Sequence, residues 1–251
     1  MAEGDPLVPL MHLPDVAERV LAARGGVDRL LGERVLRRRS AEVSAEAGLR
    51  SVRASAALEG VVVSLDDLRR GADIDAPAVQ GALRVGQEMS SLGPVLDRAP
   101  MQALARLHAL AAADAVPRSE LGRPRELGLP PAHVVARRLA TLSEILAAPT
   151  SVSAVVVAAV VHGEVLALQP FSWGNGLVAR AAARIVLVHR GVDPKALTAP
   201  DVGHAVDPTA YADAAARFAA GDVRPWLLHC ADALLAGAQE GQAICSALER
   251  G

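Results

Sequence analysis

Two apolar helical segments, separated by a short interruption, constrain the fold of this chain most. Residues Val152 to Leu168 are apolar on almost every side of a helix that Thr150 or Ser151 can cap, and a second apolar helix is predicted from about Gly176 to His189. Gln169 to Asn175 separates them with Pro, Gly and Asn, which interrupt helices. Because a helix that is apolar all round must be covered on every side, we expect this pair at the centre of a bundle.

The rest of the chain also has helical patterns. Caps and apolar spacing predict further helices, and strand-like alternation is confined to residues 61–63. With the central pair, the predicted helices cover residues 15–31, 34–59, 64–71, 75–92, 100–113, 131–147, 152–168, 176–189, 207–220 and 225–249. We therefore predict an all-α bundle of roughly eight to ten helices, with an N-terminal helical extension over residues 1–48 and one helical domain over residues 49–251.

Aromatic residues are too few for a nucleic-acid surface. They make up 2% of the chain, and all five lie in the last third, so the first 170 residues have none on which bases could stack. The formal net charge is −2, which gives no electrostatic reason to bind a polyanion. We predict that the protein has no nucleic-acid partner.

Neither cysteine belongs to a pattern typical of a disulfide or a metal site. Cys230 and Cys245 are fifteen positions apart in one predicted helix, too far for a bridge within it, and the chain has no CxxC pair. Residues 1–14 lack the features of a signal peptide, and the apolar run at 152–161 is half a membrane span. We expect a cytoplasmic protein with reduced thiols and no membrane partner; a homo-oligomer remains open.

The sequence Gly174-Asn175-Gly176 before the second apolar helix is the most informative loop of the chain. Glycine and asparagine tolerate positive φ, so consecutive N–H groups can face one ligand. The helix start adds partial positive charge, and Arg180, one turn later, adds a charged donor. These features favour a phosphate, although a turn between two helices needs such residues as well.

Residues 169–180 resemble the signature of the Fic (Fido) family, H-x-F-x-[DE]-G-N-G-[RK]-x-x-R. Residues 55–60, Ser-Ala-Ala-Leu-Glu-Gly, resemble that family's inhibitory helix motif, [ST]-x-x-x-E-[GN]. Ser55 and Glu59 share one face of a helix that Gly60 can end. The motifs stand in the family's order, and the resemblance extends from about Arg50 to Trp226. It implies a Fic-like domain with an N-terminal inhibitory helix.

Three functional positions of the family motif are substituted. In active members the His accepts a proton from the target hydroxyl as it attacks the α-phosphate of ATP, the acid holds Mg²⁺, and two arginines hold the outer phosphates. The His, the acid and the first Arg fall on Gln169, Trp173 and Leu177, whereas Arg180 matches the second Arg. A general base contributes about 10²–10⁴-fold to a rate, and a glutamine cannot act as one near neutral pH. Since tryptophan cannot ligate a metal, we expect neither a catalytic residue in this motif nor Mg²⁺.

The resemblance gives Glu59 a specific role. In the family, the inhibitory Glu pairs with the second motif Arg and blocks the γ-phosphate position. Glu59 and Arg180 keep both groups. Two interpretations remain open: Ser55, Glu59 and Gly60 regulate nucleotide binding, or the Glu59–Arg180 pair only holds the N-terminal helix onto the bundle.

Three functions are compatible with these residues. The first is a pseudoenzyme that binds ATP, another nucleotide or phosphate ligand, or a protein partner, with Gly174, Asn175, Gly176 and Arg180 as the anion site. The second is a divergent transferase that acts on a nucleotide or phosphate-containing substrate, with His162 or His108 as the base; both histidines are otherwise predicted to be structural.

The third is an interaction module in which Trp173 fills the nucleotide pocket. The lost base and metal ligand favour a protein without enzymatic activity.

Overall fold

The structure, a computed structural model, describes residues 4–72 and 74–250. In these two ranges the chain forms twelve α-helices and no β-strand, which confirms the predicted all-α class. The helices are α1 (Val8–Met11), α2 (Val16–Leu31), α3 (Leu36–Leu58), α4 (Leu65–Arg70), α5 (Pro77–Arg98), α6 (Pro100–Ala111), α7 (Ala132–Ala147), α8 (Ala154–Leu168), α9 (Asn175–His189), α10 (Pro200–Val206), α11 (Pro208–Ala219) and α12 (Arg224–Arg250).

The two apolar helices α8 and α9 form the centre of the bundle. They pack against each other; α5 and α6 cover α9, while α11 and α12 cover α8. Every residue of α8 from Val155 to Gly163 is buried, as its apolar sequence requires. Trp226 of α12 is fully buried against α8 and donates its indole N–H to Ala159 O at 2.7 Å. This arrangement fixes the α8–α9 loop between rigid elements.

Most helix ends follow the predicted caps, with two corrections. The cap of α8 is Ser153, whose Oγ accepts from Val155 N at 3.3 Å, instead of Thr150 or Ser151. The Thr150 hydroxyl donates to Asp5 and accepts from Val152 N at 3.0 Å, two residues before the helix begins. Helix α5 continues past the predicted end near 92 to Arg98, because its last turns remain packed in the core. The helices α1 and α10 were not predicted, since each is too short to show a periodic pattern.

The N-terminal helices pack into the bundle. Helix α2 packs along α12, and the boundary predicted between residues 48 and 49 lies inside α3, with no helix end there. Leu36 and Val43 share an apolar cluster with Leu197 and Ile244 from the far end of the chain. The outer limits of the predicted division, residues 1–3 and 251, lie outside the described residues.

Both cysteines lie in α12, buried and without a disulfide, as predicted. Burial raises the pKa of the Cys230 thiol well above its ordinary range. Within residues 4–72 and 74–250, no helix combines the length and apolar character needed to cross a membrane.

Candidate functional site

The α8–α9 loop is closed by its own hydrogen bonds. Gln169 ends α8 with φ of 41°, and Gly174 precedes α9 with φ of 69°, a conformation that favours glycine. The Asn175 side chain accepts from Phe171 N at 3.0 Å and donates to Phe171 O at 2.9 Å. The side chain of Asn175 therefore holds the loop, so only its main-chain N–H is available to a ligand.

Arg125, from the segment between α6 and α7, holds the other side of the loop. Its Nε donates to Gln169 O at 2.6 Å, its Nη2 to Leu168 O at 3.2 Å, and its main-chain N to Pro170 O at 2.8 Å. A cation at the carbonyl end of α8 is also favoured by the helix dipole. This role was not predictable from the sequence, because the partners are main-chain carbonyls more than forty positions away.

Phe171 anchors the loop from inside. It is 4% exposed and stacks on His108 of α6, with ring centroids 4.1 Å apart and planes 2° apart. His108 Nδ1 accepts from Gly122 N at 2.9 Å, which leaves the hydrogen on Nε2. That Nε2 is buried, and the main chain of Trp173 partly opposes the effect of burial on the pKa of His108. Burial lowers the pKa of His108, so it is a neutral packing residue here.

The three substituted motif positions differ in their surroundings. Leu177 is buried in the core, Trp173 is partly buried and packs on the same core, and Gln169 is exposed. The indole of Trp173 offers a donor and no oxygen, so Mg²⁺ does not fit this position. The described residues contain no group of three His, Cys, Asp or Glu side chains that could hold a metal elsewhere.

The first turn of α9 faces a carboxylate of the chain itself. In the described chain, the main-chain N–H groups of Asn175, Gly176 and Leu177 make no hydrogen bond, whereas Val178 N already donates to Gly174 O. The Glu59 carboxylate lies directly over Gly176: a Cβ at this position would overlap Glu59 Oε1. A negative group therefore lies beside the first turn of α9, where the helix dipole favours negative charge, without accepting a hydrogen bond from these N–H groups.

Arg180 joins this carboxylate to α3. Its Nη2 donates to Glu59 Oε1 at 2.7 Å and to Ser55 O at 3.1 Å, and its Nε donates to Ser55 Oγ at 2.7 Å. Its Nη1 lies 3.4 Å from Tyr211 Oη. The side chain is only 3% exposed. Burial alone lowers the pKa of Arg180, but Tyr211, Glu59 and Asp201 together raise it, so the guanidinium stays charged.

Beneath Arg180 lies a buried polar cluster that the sequence did not predict as a whole. His162 Nε2 and Tyr211 Oη are 2.9 Å apart, which confirms His162 as a residue that joins two helices, α8 and α11. Asp201 Oδ1 lies 3.7 Å from Arg180 Nε, while Asp201 Oδ2 has no hydrogen-bond partner among the described residues. Burial raises the pKa of Tyr211 to about 12 and lowers those of His162 and His204 well below 6.5. The one sequence signal for Tyr211 is that it is the single tyrosine of the chain.

Solved structures from at least two organisms share this fold. The chain superposes on a Fic family protein from Desulfovibrio desulfuricans with a TM-score of 0.74 and 20% identity, over 90% of this chain and 74% of that one. Fic-1 from C. elegans gives a TM-score of 0.74 and 20% identity over 96% and 75% of the two chains, and a variant of it gives 0.67 and 19% over 94% and 74%. No protein-family profile and no curated protein matches the sequence. The chain has the all-α fold of Fic family proteins, as the two motifs predicted.

Proposed function

We propose that this protein is a Fic-fold pseudoenzyme that binds a phosphate-bearing ligand, such as ATP, at the start of α9 without transferring any part of it. One observation above all supports this: the Glu59 carboxylate lies over Gly176 and is bonded to Arg180, in a place suited to a phosphate. In this proposal Glu59 is a competitor, and the ligand binds when Glu59 moves away.

The residues at the site match a phosphate better than they match a catalyst. The free N–H groups of Asn175, Gly176 and Leu177 and the charged Arg180 can all donate to phosphate oxygens. A base is missing: Gln169 has no titratable group, and both alternative bases, His108 and His162, are buried and held neutral. Neither histidine can reach a substrate hydroxyl without rearrangement of the core.

The binding part is tested by thermal unfolding with ATP, with and without Mg²⁺. A ligand that binds only the native state stabilises it by RT ln(1 + [L]/Kd), about 2.7 kcal/mol at one hundred times Kd. We expect a small shift in the wild type, a larger one in Glu59→Gly, and no dependence on Mg²⁺. Glu42→Gly is the control for loss of a glutamate, since Glu42 lies in α3, the helix that ends just before Glu59, and pairs with Arg39 at the surface. No shift in Glu59→Gly at millimolar ATP contradicts the proposed ligand.

The non-catalytic part is tested by incubation with α-labelled ATP and a cell lysate. We expect no labelled protein above background from the wild type or from Glu59→Gly. The Glu59→Gly variant is needed because it removes the competing carboxylate, so its failure to transfer cannot be due to inhibition. Transfer by either protein would show that a group other than the motif His acts as the base.

A second candidate function, an interaction module without a nucleotide, is favoured by the apolar motif positions. Leu177 is buried and Trp173 packs on the core, where a nucleotide site of this family has charged groups. None of the residues 174–176 lines any of five cavities found in the described part of the chain. An absent ATP shift in both proteins, together with self-association in sedimentation or a captured partner that Trp173→Ala releases, would favour this function.

A further inference from the structure

A groove away from the start of α9 lies between α3, α5 and the segment that follows α9. Its volume is about 450 Å³, which falls within the range of about 300–1,000 Å³ typical of small-molecule pockets. Apolar side chains from three helices form most of its wall, namely Leu49, Val52, Leu83, Met89 and Val188. Such a surface suits the apolar body of a small molecule.

All ionised side chains that line the groove are cations, Arg184 and Lys195. Arg184 is 12% exposed and makes no hydrogen bond to any described residue. Its closest carboxylate contact is Asp201 Oδ2, 3.7 Å from Nε, beyond hydrogen-bond distance. A guanidinium has five N–H donors in a planar fork that matches a carboxylate or a phosphate. Arg184 therefore lines the groove with a mostly desolvated guanidinium whose charge faces Asp201 but whose N–H donors have no hydrogen-bond partner among the described residues.

Two helix-interior glycines keep the groove open. A Cβ added to Gly48 of α3 or to Gly86 of α5 would meet no atom within 4 Å. At Gly81 and Gly203, by contrast, a Cβ would overlap the backbone of a neighbouring helix, so close packing explains those two glycines. Glycine weakens a helix relative to alanine, and no neighbouring atom requires it at Gly48 or Gly86, which both line the groove.

We propose that this groove binds a small amphiphilic anion. Its carboxylate or phosphate head pairs with the Arg184 guanidinium, its apolar body packs on Val52, Leu83 and Met89, and Lys195 at the rim adds a second positive charge. Charge complementarity supports an anion, since no acidic side chain lines the groove. The site shares no lining residue with the start of α9, and the two sites are connected through Asp201, which lies 3.7 Å from both Arg180 and Arg184.

The first test is calorimetric titration of the full chain with decanoate, decyl phosphate and decanol. We expect at least one of the two anions to bind and the uncharged alcohol to bind much more weakly; comparison of the anions identifies the preferred head. Arg184→Met should weaken anion binding by roughly 10- to 100-fold, the value expected for a hydrogen-bonded charge. Arg24→Met is the matched control, since Arg24 pairs with Asp28 on the exposed face of α2, and its affinity should equal that of the wild type.

The second test fills the groove without removing a charge. Gly86→Leu places a side chain in space that is open in the structure, so the variant should fold with an unchanged or higher Tm and should no longer bind the anion. This variant keeps the proposal testable if Arg184→Met unfolds because Asp201 loses its partner. The proposal is overturned if neither anion binds the wild type, if decanol binds as well as the anions, or if binding survives in a folded Gly86→Leu protein.

Discussion

At the scale of single residues, hydrogen bonding separates two serines that look alike in the sequence. Ser51 and Ser55 lie one turn apart on α3, and both are buried. Ser55 Oγ accepts from Arg180 Nε at 2.7 Å, whereas Ser51 Oγ has no partner in the described chain. A buried polar group without a partner costs free energy. The Ser55 hydroxyl should therefore stabilise the native protein, whereas the Ser51 hydroxyl should not.

We predict that Ser55→Ala lowers the free energy of unfolding by about 1–3 kcal/mol, since it leaves the Arg180 Nε–H buried and unpaired. Ser51→Ala is the matched control and should be neutral or slightly stabilising, because it removes a hydroxyl that has no partner. Urea denaturation of both variants measures the difference. Equal losses would mean that the Ser55–Arg180 hydrogen bond contributes nothing to stability.

At the scale of elements, α3 and α9 meet at Glu59. This residue directly follows α3 and contacts Gly176 in the first turn of α9. The contact is close because Gly176 has no side chain: a Cβ there would overlap Glu59 Oε1 and lie 3.0 Å from Arg180 Nη1. Glycine is normally unfavourable inside a helix. Its presence in the first turn is therefore explained by the carboxylate above it.

We predict that Gly176→Ala displaces Glu59 and destabilises the protein, although the same change in an open helix stabilises by up to about 1 kcal/mol. Gly48→Ala in α3, where a Cβ meets nothing within 4 Å, is the control that should show this gain. In a double-mutant cycle, Glu59→Gly should remove most of the penalty of Gly176→Ala. Additive effects of the two substitutions would show that Glu59 does not lie over α9.

At the scale of the whole molecule, the bundle buries neutral histidines at its centre. Burial lowers the pKa values of His162 and His204 well below 6.5, and His229 shifts in the same direction. Below pH 6.5 the unfolded chain binds protons that the native protein does not. The stability that these neutral histidines contribute is thus fully present above pH 6.5, and it is lost as the pH falls towards their pKa values in the native protein.

We predict that the free energy of unfolding decreases between pH 6.5 and 5, by up to about 1.4 kcal/mol per pH unit for each such histidine. Glu42 and Glu46, whose pKa values are lowered from 4.5 by arginine partners, add losses only at lower pH. Urea denaturation across this window gives the slope. A folded His162→Gln variant should have a smaller slope, and the exposed His133→Gln should match the wild type. A flat profile in the wild type would contradict the prediction.

The sequence by itself determined the fold class and the identity of the motif residues. The uniformly apolar sequence of α8 predicted its central position, because a helix that is apolar all round can be buried only inside a bundle. Local chemistry likewise fixed caps such as Ser64 and Asp207, which bond to groups three residues away. The spacing of Ser55 and Glu59 placed both on one helix face before any contact was known.

Only the tertiary structure decided what those residues do. It assigned the Asn175 side chain to the loop, brought Arg125, Tyr211 and Asp201 to the site from distant segments, and placed Glu59 over the first turn of α9. It also gave Arg184 a desolvated charge facing an open groove. The physical reason is that the propensities visible in the sequence arise from neighbours within about four positions, whereas the pairing and desolvation of a buried charge such as Arg180 depend on distant residues such as Ser55, 125 positions away.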